Sequence, residues 1–258
     1  MALRAGSEGS AVRAGREHRA GLSLRLLALL VLFLVGGAGC GGVLFKEYEY
    51  DEQVDLALDG SAIVDVNASI PALVALQGAD LDVNPRARLD RNRIRAMYEG
   101  PGPGARVIEV TSFRRHGRRF VHVRAEIADI RQLPRVAPFS WSRYRLDRVG
   151  DAYQVAQDVG PSADKPIGDV GWDGRELVAF RMHLPSRIRT NNALEENFKR
   201  GNILVWEQAL KDRRAGAPLH MEASMDTQTI LSRTLVLFAG TLVSALAMVG
   251  LVIWWVAR

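Results

Sequence analysis

Between Leu235 and Val256 the chain runs for twenty-two residues without a charged side chain, as LVLFAGTLVSALAMVGLVIWWV. A helix of that length rises about 33 Å, against a bilayer hydrocarbon core of about 30 Å. Soluble helices this long nearly always carry a polar face, so the segment is predicted to span a membrane. Trp254 and Trp255 put indole rings where the headgroup interface favours them, and Arg233 and Arg258 flank the stretch. Whatever else the chain folds into must form outside this segment. Gly240 and Ser244 stand four residues apart on it. That small-residue spacing lets two helices approach closely, so a homodimer through this helix is one expected partnership.

A second uncharged stretch, Leu26 to Phe45, follows the basic residues that end at Arg25. Basic residues, an apolar run and then GGAGCGG form the three-part pattern of a secretory signal. Gly36 to Gly42 also resembles a bacterial lipobox. Ala38 and Gly39 precede Cys40 as that motif requires, whereas Gly37 stands where it favours leucine. Three readings stay open: lipidation at Cys40, an uncleaved anchor over 26–45, and ordinary cleavage. In the first two, positive residues stay inside and the region between the apolar stretches is exported across a cytoplasmic (inner) membrane. If Cys40 is acylated, the strand at Tyr48 and the strand at Met225 are expected to start and finish on the same side of the fold. Residues 1–25 read as a basic, disordered leader.

The remaining region, 46–229, is long enough for one domain with a real core. The formal net charge of +5 overstates how basic it is. Five arginines against two glutamates in residues 1–39 supply +3 of it, and the rest of the chain is nearly balanced. Nucleic-acid binding needs a concentrated basic surface, so no nucleic-acid partner is expected. Cys40 is the single cysteine, which excludes an intrachain disulfide and cysteine-based zinc clusters.

Alternation marks the strands. From Tyr48 the even positions run Tyr, Tyr, Glu, Val, Leu and the odd ones are mostly acidic, giving one apolar and one acidic face. An Asp59-Gly60-Ser61 loop of three residues would pair Leu56 with Val64 and Val54 with Val66, keeping both apolar sets on one face. A His116-Gly117 turn would pair Val110 with Val123 and Ile108 with Ala125. Phe139–Leu146 with Ala152–Val159 suggests a third hairpin, and Val178 to Leu184, Ile203–Leu210 and Leu219–Met225 give further strands. Pro71 to Gln77, closed by Gly78, is a short helix. Asn84-Pro85 reads as the start of another, running to Gly100. Eight or nine strands and two helices make an α+β domain with a mostly antiparallel sheet of hairpins.

The last third carries a recognisable pattern. LVAFRMHLPSRIRTNNA, GNILVWEQAL and GAPLHMEASM, with Phe180, Pro185, Asn191, Gly201, Asn202 and Trp206 at the matching positions, resemble the LppM-type bacterial lipoprotein domain family. The order of lipobox, domain and terminal helix matches too. The resemblance implies an envelope lipoprotein concerned with lipid or glycolipid, and implies no catalytic residues.

Chemistry-bearing motifs are scarce. Four histidines beyond the leader (His116, His122, His183, His220) lack metal-ligand spacing, and no G-x-S-x-G, phosphate-binding glycine loop or zincin motif occurs. No enzyme, cofactor or metal is therefore expected. The acidic strand face of Glu47, Glu49, Asp51 and Asp55 reads as solvent-exposed rather than as an ion site. Arg114, Arg115, Arg118 and Arg119 crowd one hairpin tip, either as a solvated tip or as a contact for anionic lipid. Trp141, Tyr144, Phe180 and Trp206 would fill core or line an apolar pocket between sheet and helix. The function expected is a non-enzymatic, membrane-anchored protein binding membrane lipid or glycolipid. The alternative is an interaction module for another membrane protein.

Overall fold

The computed structural model describes residues 46–99, 104–193 and 202–258. Cys40 and Gly201, and with them the expectations on the leader and lipobox, lie outside the described residues.

Among the described residues, ten strands form two sheets in an α+β architecture. The larger sheet holds β1 (Tyr48–Leu56), β2 (Ala62–Ser69), β3 (Ala105–Arg115), β4 (Arg118–Ile127), β7 (Leu177–His183) and β9 (Ile203–Ala209) in the order β3-β4-β2-β1-β7-β9. The smaller holds β5 (Ser142–Val149), β6 (Ala152–Val159), β8 (Ser186–Asn191) and β10 (Leu219–Thr229) in the order β5-β6-β10-β8. Every pairing is antiparallel except β1 with β7. One apolar core draws on both sheets: Val54, Val64, Val123 and Phe180 from the larger, Leu146, Val155, Met221 and Met225 from the smaller.

The β1–β2 register differs by two residues from the sequence expectation. Val54 faces Val64 and Leu56 faces Ala62. The loop still has three residues, but they are Leu58, Asp59 and Gly60, because Ala57 N–H bonds Ser61 O at 2.8 Å. Gly60 has φ +92°, and three-residue hairpin loops place their left-handed residue last. The glycine therefore fixes where the loop ends. Parity is unchanged, so both apolar sets still face the core. In the β3–β4 hairpin the His116-Gly117 turn and the Val110–Val123 pair are as expected. A bulge between Val107 and Glu109 brings Val107, not Ile108, opposite Ala125 and leaves Ile108 exposed.

Helix α1 (Ile70–Gln77) starts at the Ser69 hydroxyl, which accepts from Ala72 N–H, and stops at left-handed Gly78. It is apolar all round and buried from Ile70 to Leu76, as a helix inside a core must be. Helix α2 (Arg91–Glu99) begins later than Asn84-Pro85 suggested. Asn84 closes a turn on Arg86 N–H, and the side chain that accepts from the first-turn amides is that of Asp90. Ile94 and Tyr98 are its buried residues. A short α3 (Leu210–Arg214) follows β9, and α4 (Ile230–Val256) follows β10 without a break. Within α4, Thr234–Val256 is long and apolar enough to cross a membrane, and none of its most apolar stretch is buried in the protein.

The path to α4 overturns one expectation. Tyr48 at the start of β1 lies level with Leu177 at the start of β7. The end of β10 instead meets the chain beyond β7: Thr229 pairs with Ser186, and Ile230 N–H bonds Pro185 O. β1 and β7 run parallel, so the start of β1 and the end of β10 are separated by the length of β7, about 20 Å. They lie at opposite ends of the strands, not on one side.

Candidate functional site: a groove at the α4 end, and a buried polar cluster

Glu52 sits on the even, apolar face of β1 and is 0% exposed. Its Oε2 accepts from Tyr50 Oη at 2.6 Å, and its Oε1 accepts from Tyr144 Oη at 2.6 Å and Gln157 Nε2 at 2.9 Å. Gln77 Nε2 donates in turn to Tyr50 Oη. The cluster joins both sheets and α1 across the core, and none of these partners carries a positive charge. Burial pushes the Glu52 pKa above the ordinary glutamate value, outweighing the hydrogen bonds from Tyr144, Tyr50 and Gln157 that lower it. The same burial, with Glu52 beside them, raises both tyrosines well above the usual phenol range. Glu52, Tyr50, Tyr144 and Gln157 are buried and hydrogen-bonded to one another, so they hold the sheets in register rather than offer a reactive surface. The signal in the sequence was one carboxylate among the even, apolar positions of the first strand.

The acidic face of β1 is partly covered: Glu47, Asp51 and Asp55 are half-buried and Glu49 is buried. Glu49 is 0% exposed and pairs with Arg118 at 2.9 Å, with Trp172 Nε1 at 3.1 Å on its other oxygen. Asp51 pairs with Arg181, Asp55 with His183, and Glu47 with His116. Arginines from β4 and β7, and histidines from β7 and the hairpin turn, lie against the acidic row.

Contacts within the domain take up much of the arginine tip. Arg118 is buried between Glu49 and the carbonyl of Gly171. Arg119 is buried, donating to the carbonyls of Ala87 and Asp82. Arg115 donates to Tyr48 O and lies over Phe120, 4.4 Å from the ring centroid. Of the four, Arg114 is exposed. The tip adjoins the start of β1, at the end of the sheet remote from α4. The guanidinium groups of Arg115, Arg118 and Arg119 thus tie the tip to the domain.

The aromatic residues divide. Phe180, Tyr144 and Trp206 are buried, and Trp206 Nε1 donates to Asn192 Oδ1 at 2.9 Å. Tyr50, Trp141 and Phe180 pack with centroids 5.6 to 6.0 Å apart. Phe180, Tyr144 and Trp206 therefore belong to the core. Trp141 packs on the core with one side and lines a surface recess with the other.

An apolar groove occurs elsewhere, at the strand ends. It has a volume of about 750 Å³ and runs across the end of β1, the β1–β2 loop, the start of β2, the start of β3 and the end of β4. Leu56, Ala57, Ala62, Ile63, Ala105 and Ile127 give it an apolar lining, with Arg106 and Glu126 ion-paired at the side. Its size is that of small-molecule and lipid sites. Asp55, in its wall, is the register partner of His183, and two residues past His183 the carbonyl of Pro185 receives the first N–H of α4. The groove therefore lies along the same strand ends from which the apolar helix departs. No local pattern announces it, because small residues at strand ends create space only once four strands are aligned.

Neither a protein-family model nor a curated protein sequence matches the chain. Among solved structures, the NMR structure of the LppM folded domain from Mycobacterium tuberculosis matches over 73% of this chain and 96% of that one, at 13% sequence identity and a TM-score of 0.40. That is a weak structural relationship, and nothing about ligand or activity is taken from it.

Proposed function

We propose that this is a non-enzymatic, membrane-anchored envelope protein that takes part of a lipid or glycolipid into the groove at the α4 end of the larger sheet. The observation that carries the reading is the coincidence of two apolar features. A groove of about 750 Å³ opens along the strand ends next to the start of a helix long enough to span a bilayer. A lipid partly lifted from the membrane that α4 enters would meet that edge first. A lipid lifted out of the bilayer exposes methylenes to water at about 0.8 kcal/mol each, and the groove offsets that cost for those it covers.

The second reading, an interaction module for another membrane protein, is favoured by the open edge of β3, where Ile108 and Phe113 are each more than 40% exposed. Mild-detergent extraction of the full chain followed by affinity capture separates the two. A phospholipid or glycolipid at about one per chain supports the groove. A stoichiometric protein partner with no retained lipid supports the module and contradicts the lipid reading.

A further inference from the structure

Where the loop between α1 and α2 crosses the β3–β4 hairpin tip, a small cleft of about 270 Å³ opens, lined by Arg86, Arg88, Leu89, Phe113, Arg114 and Arg119 among others. Arg88, Leu89 and Ser112 also wall a wider, shallower recess of about 830 Å³ that continues past Arg91. The cleft thus has four guanidinium groups in its wall and a fifth beside it.

The loop is held in place by local chemistry. Asn84 Oδ1 accepts from Arg86 N–H at 2.9 Å, and Ala87 N–H bonds Asn84 O at 3.1 Å. Pro85 at the second position suits such a turn, because its ring presets φ. From below, Arg119 Nη1 donates to Ala87 O at 2.9 Å and its Nη2 to Asp82 O. One buried arginine therefore fixes the turn that presents Arg86 and leads into Arg88.

The charges in this wall lack partners. Arg86, Arg88 and Arg114 are exposed and form no ion pair among the described residues. Arg119 is only 6% exposed, and the acceptors it has are carbonyls. It gives the cleft a positive charge without a counter-ion rather than a free donor. Burial lowers the Arg119 pKa and the nearby Arg114 lowers it further, against Asp82, which raises it. Asp90, the one carboxylate lining the wider recess, accepts from the Asn92 and Arg93 amides. Like charges gathered on a fixed loop repel one another unless an anion lies between them. Leu89 and Phe113 add an apolar side. Phe113 is 43% exposed and stacks one face on Phe120, with centroids 5.3 Å apart.

We infer that this cleft binds the phosphate group of a phosphate ester, with Arg86, Arg88 and Arg114 donating to its oxygens, Arg119 beneath as fixed positive charge, and the carbon side of the ester against Leu89 and Phe113. Guanidinium groups suit phosphate because each can offer two parallel N–H bonds. The site lies at the end of the larger sheet remote from α4, and does not depend on the groove at the α4 end.

The test uses the full chain in an uncharged detergent, with ¹⁵N-labelled phenylalanine. The chain has eight phenylalanines, and the Phe113 amide is identified by its loss in Phe113→Leu. Inorganic phosphate is titrated against sodium chloride at matched ionic strength. A saturable shift of the Phe113 amide with phosphate and not with chloride is expected. Arg88→Gln and Arg114→Gln should each weaken it about threefold to tenfold, as loss of one charge-assisted bond at an open site does. Both residues are exposed, so both variants keep the fold. Arg143→Gln removes the same charge from an exposed position on β5 and should leave the titration unchanged. Glycerol 3-phosphate and a short-chain phosphatidic acid then distinguish a soluble ester from a lipid headgroup as the source of the phosphate, and tighter binding of either supports the site. A Phe113 amide that follows chloride as closely as phosphate overturns it. So do Arg88→Gln and Arg114→Gln titrations identical to the wild type, or an Arg143→Gln titration weakened as much as theirs.

Discussion

Glu52 is a carboxyl buried in the core, and its three hydrogen-bond donors decide what each substitution does. Glu52→Ala leaves Tyr50, Tyr144 and Gln157 without their acceptor and opens a cavity. We expect a loss of at least about 3 kcal/mol in urea unfolding. Glu52→Gln keeps an acceptor oxygen and removes the charge, and its effect depends on pH. The Glu52 pKa is higher folded than unfolded, so the folded protein holds this proton more tightly. The stability this contributes is full below the unfolded value, about pH 4.3, and is lost as pH rises through the folded value. Glu52→Gln should therefore gain on the wild type as pH is raised from 4 to 8, when the two unfolding midpoints are compared. A constant difference would mean that the carboxyl keeps an ordinary pKa. On the other face of β1, Arg118→Met strands the buried Glu49 carboxylate and should cost about 3–5 kcal/mol. Arg114→Met, at the exposed neighbour, should change little. From sequence alone Arg114 and Arg118 are equivalent members of one basic tip. What separates them is that β4 pairs with β2 and β2 with β1, which carries Arg118 towards Glu49.

The hairpins show what periodicity decides and what it leaves open. Alternation assigns each residue of β1, β2, β4, β7 and β10 to a face, because a residue's side is a matter of parity. It does not assign partners, because shifting a hairpin by two residues preserves every face. Local backbone chemistry settles that choice. Gly60 sets the β1–β2 register through its left-handed φ, and the bulge at Val107–Glu109 resets the β3–β4 register past the turn. Gly60→Ala should cost about 1–2 kcal/mol, the price of a left-handed alanine, although its Cβ would meet nothing closer than 3.5 Å. Thermal unfolding measures this directly, and a neutral result would mean that the loop relaxes to another turn. β8 escaped the sequence reading for a related reason. SRIRTN alternates too weakly to declare a strand, and β10, more than thirty residues downstream, is what gives it a partner. The helix beginning at Arg91 was placed early because Asn84-Pro85 has the local chemistry of a start, while Asp90 has the geometry of one.

For the whole molecule, a mostly antiparallel α+β domain followed by an apolar helix was legible from hairpin spacing and from a 22-residue uncharged run. The orientation of the domain was not. It rests on one parallel pairing, β1 with β7, which places the start of β1 and the end of β10 at opposite ends of the strands. No local pattern reports a contact between residues more than a hundred positions apart. That pairing also brings the apolar groove to the end from which α4 leaves and the arginine tip to the other. Helix α4 adds little to the domain's own stability, since its apolar stretch buries nothing against it. A chain ending at Thr229 should unfold within about 0.5 kcal/mol of the full chain. The claim that matters most is that the groove holds lipid, and the exposed Ala128 in its wall gives access to it. Ala128→Trp fills the groove from the solvent side without touching the core. Native mass spectrometry of the full chain and of Ala128→Trp, released from the same membranes, reads the outcome directly. A lipid-bound mass is expected for the wild type and the bare mass for the variant. A bare wild type, or lipid retained equally by both, would contradict it.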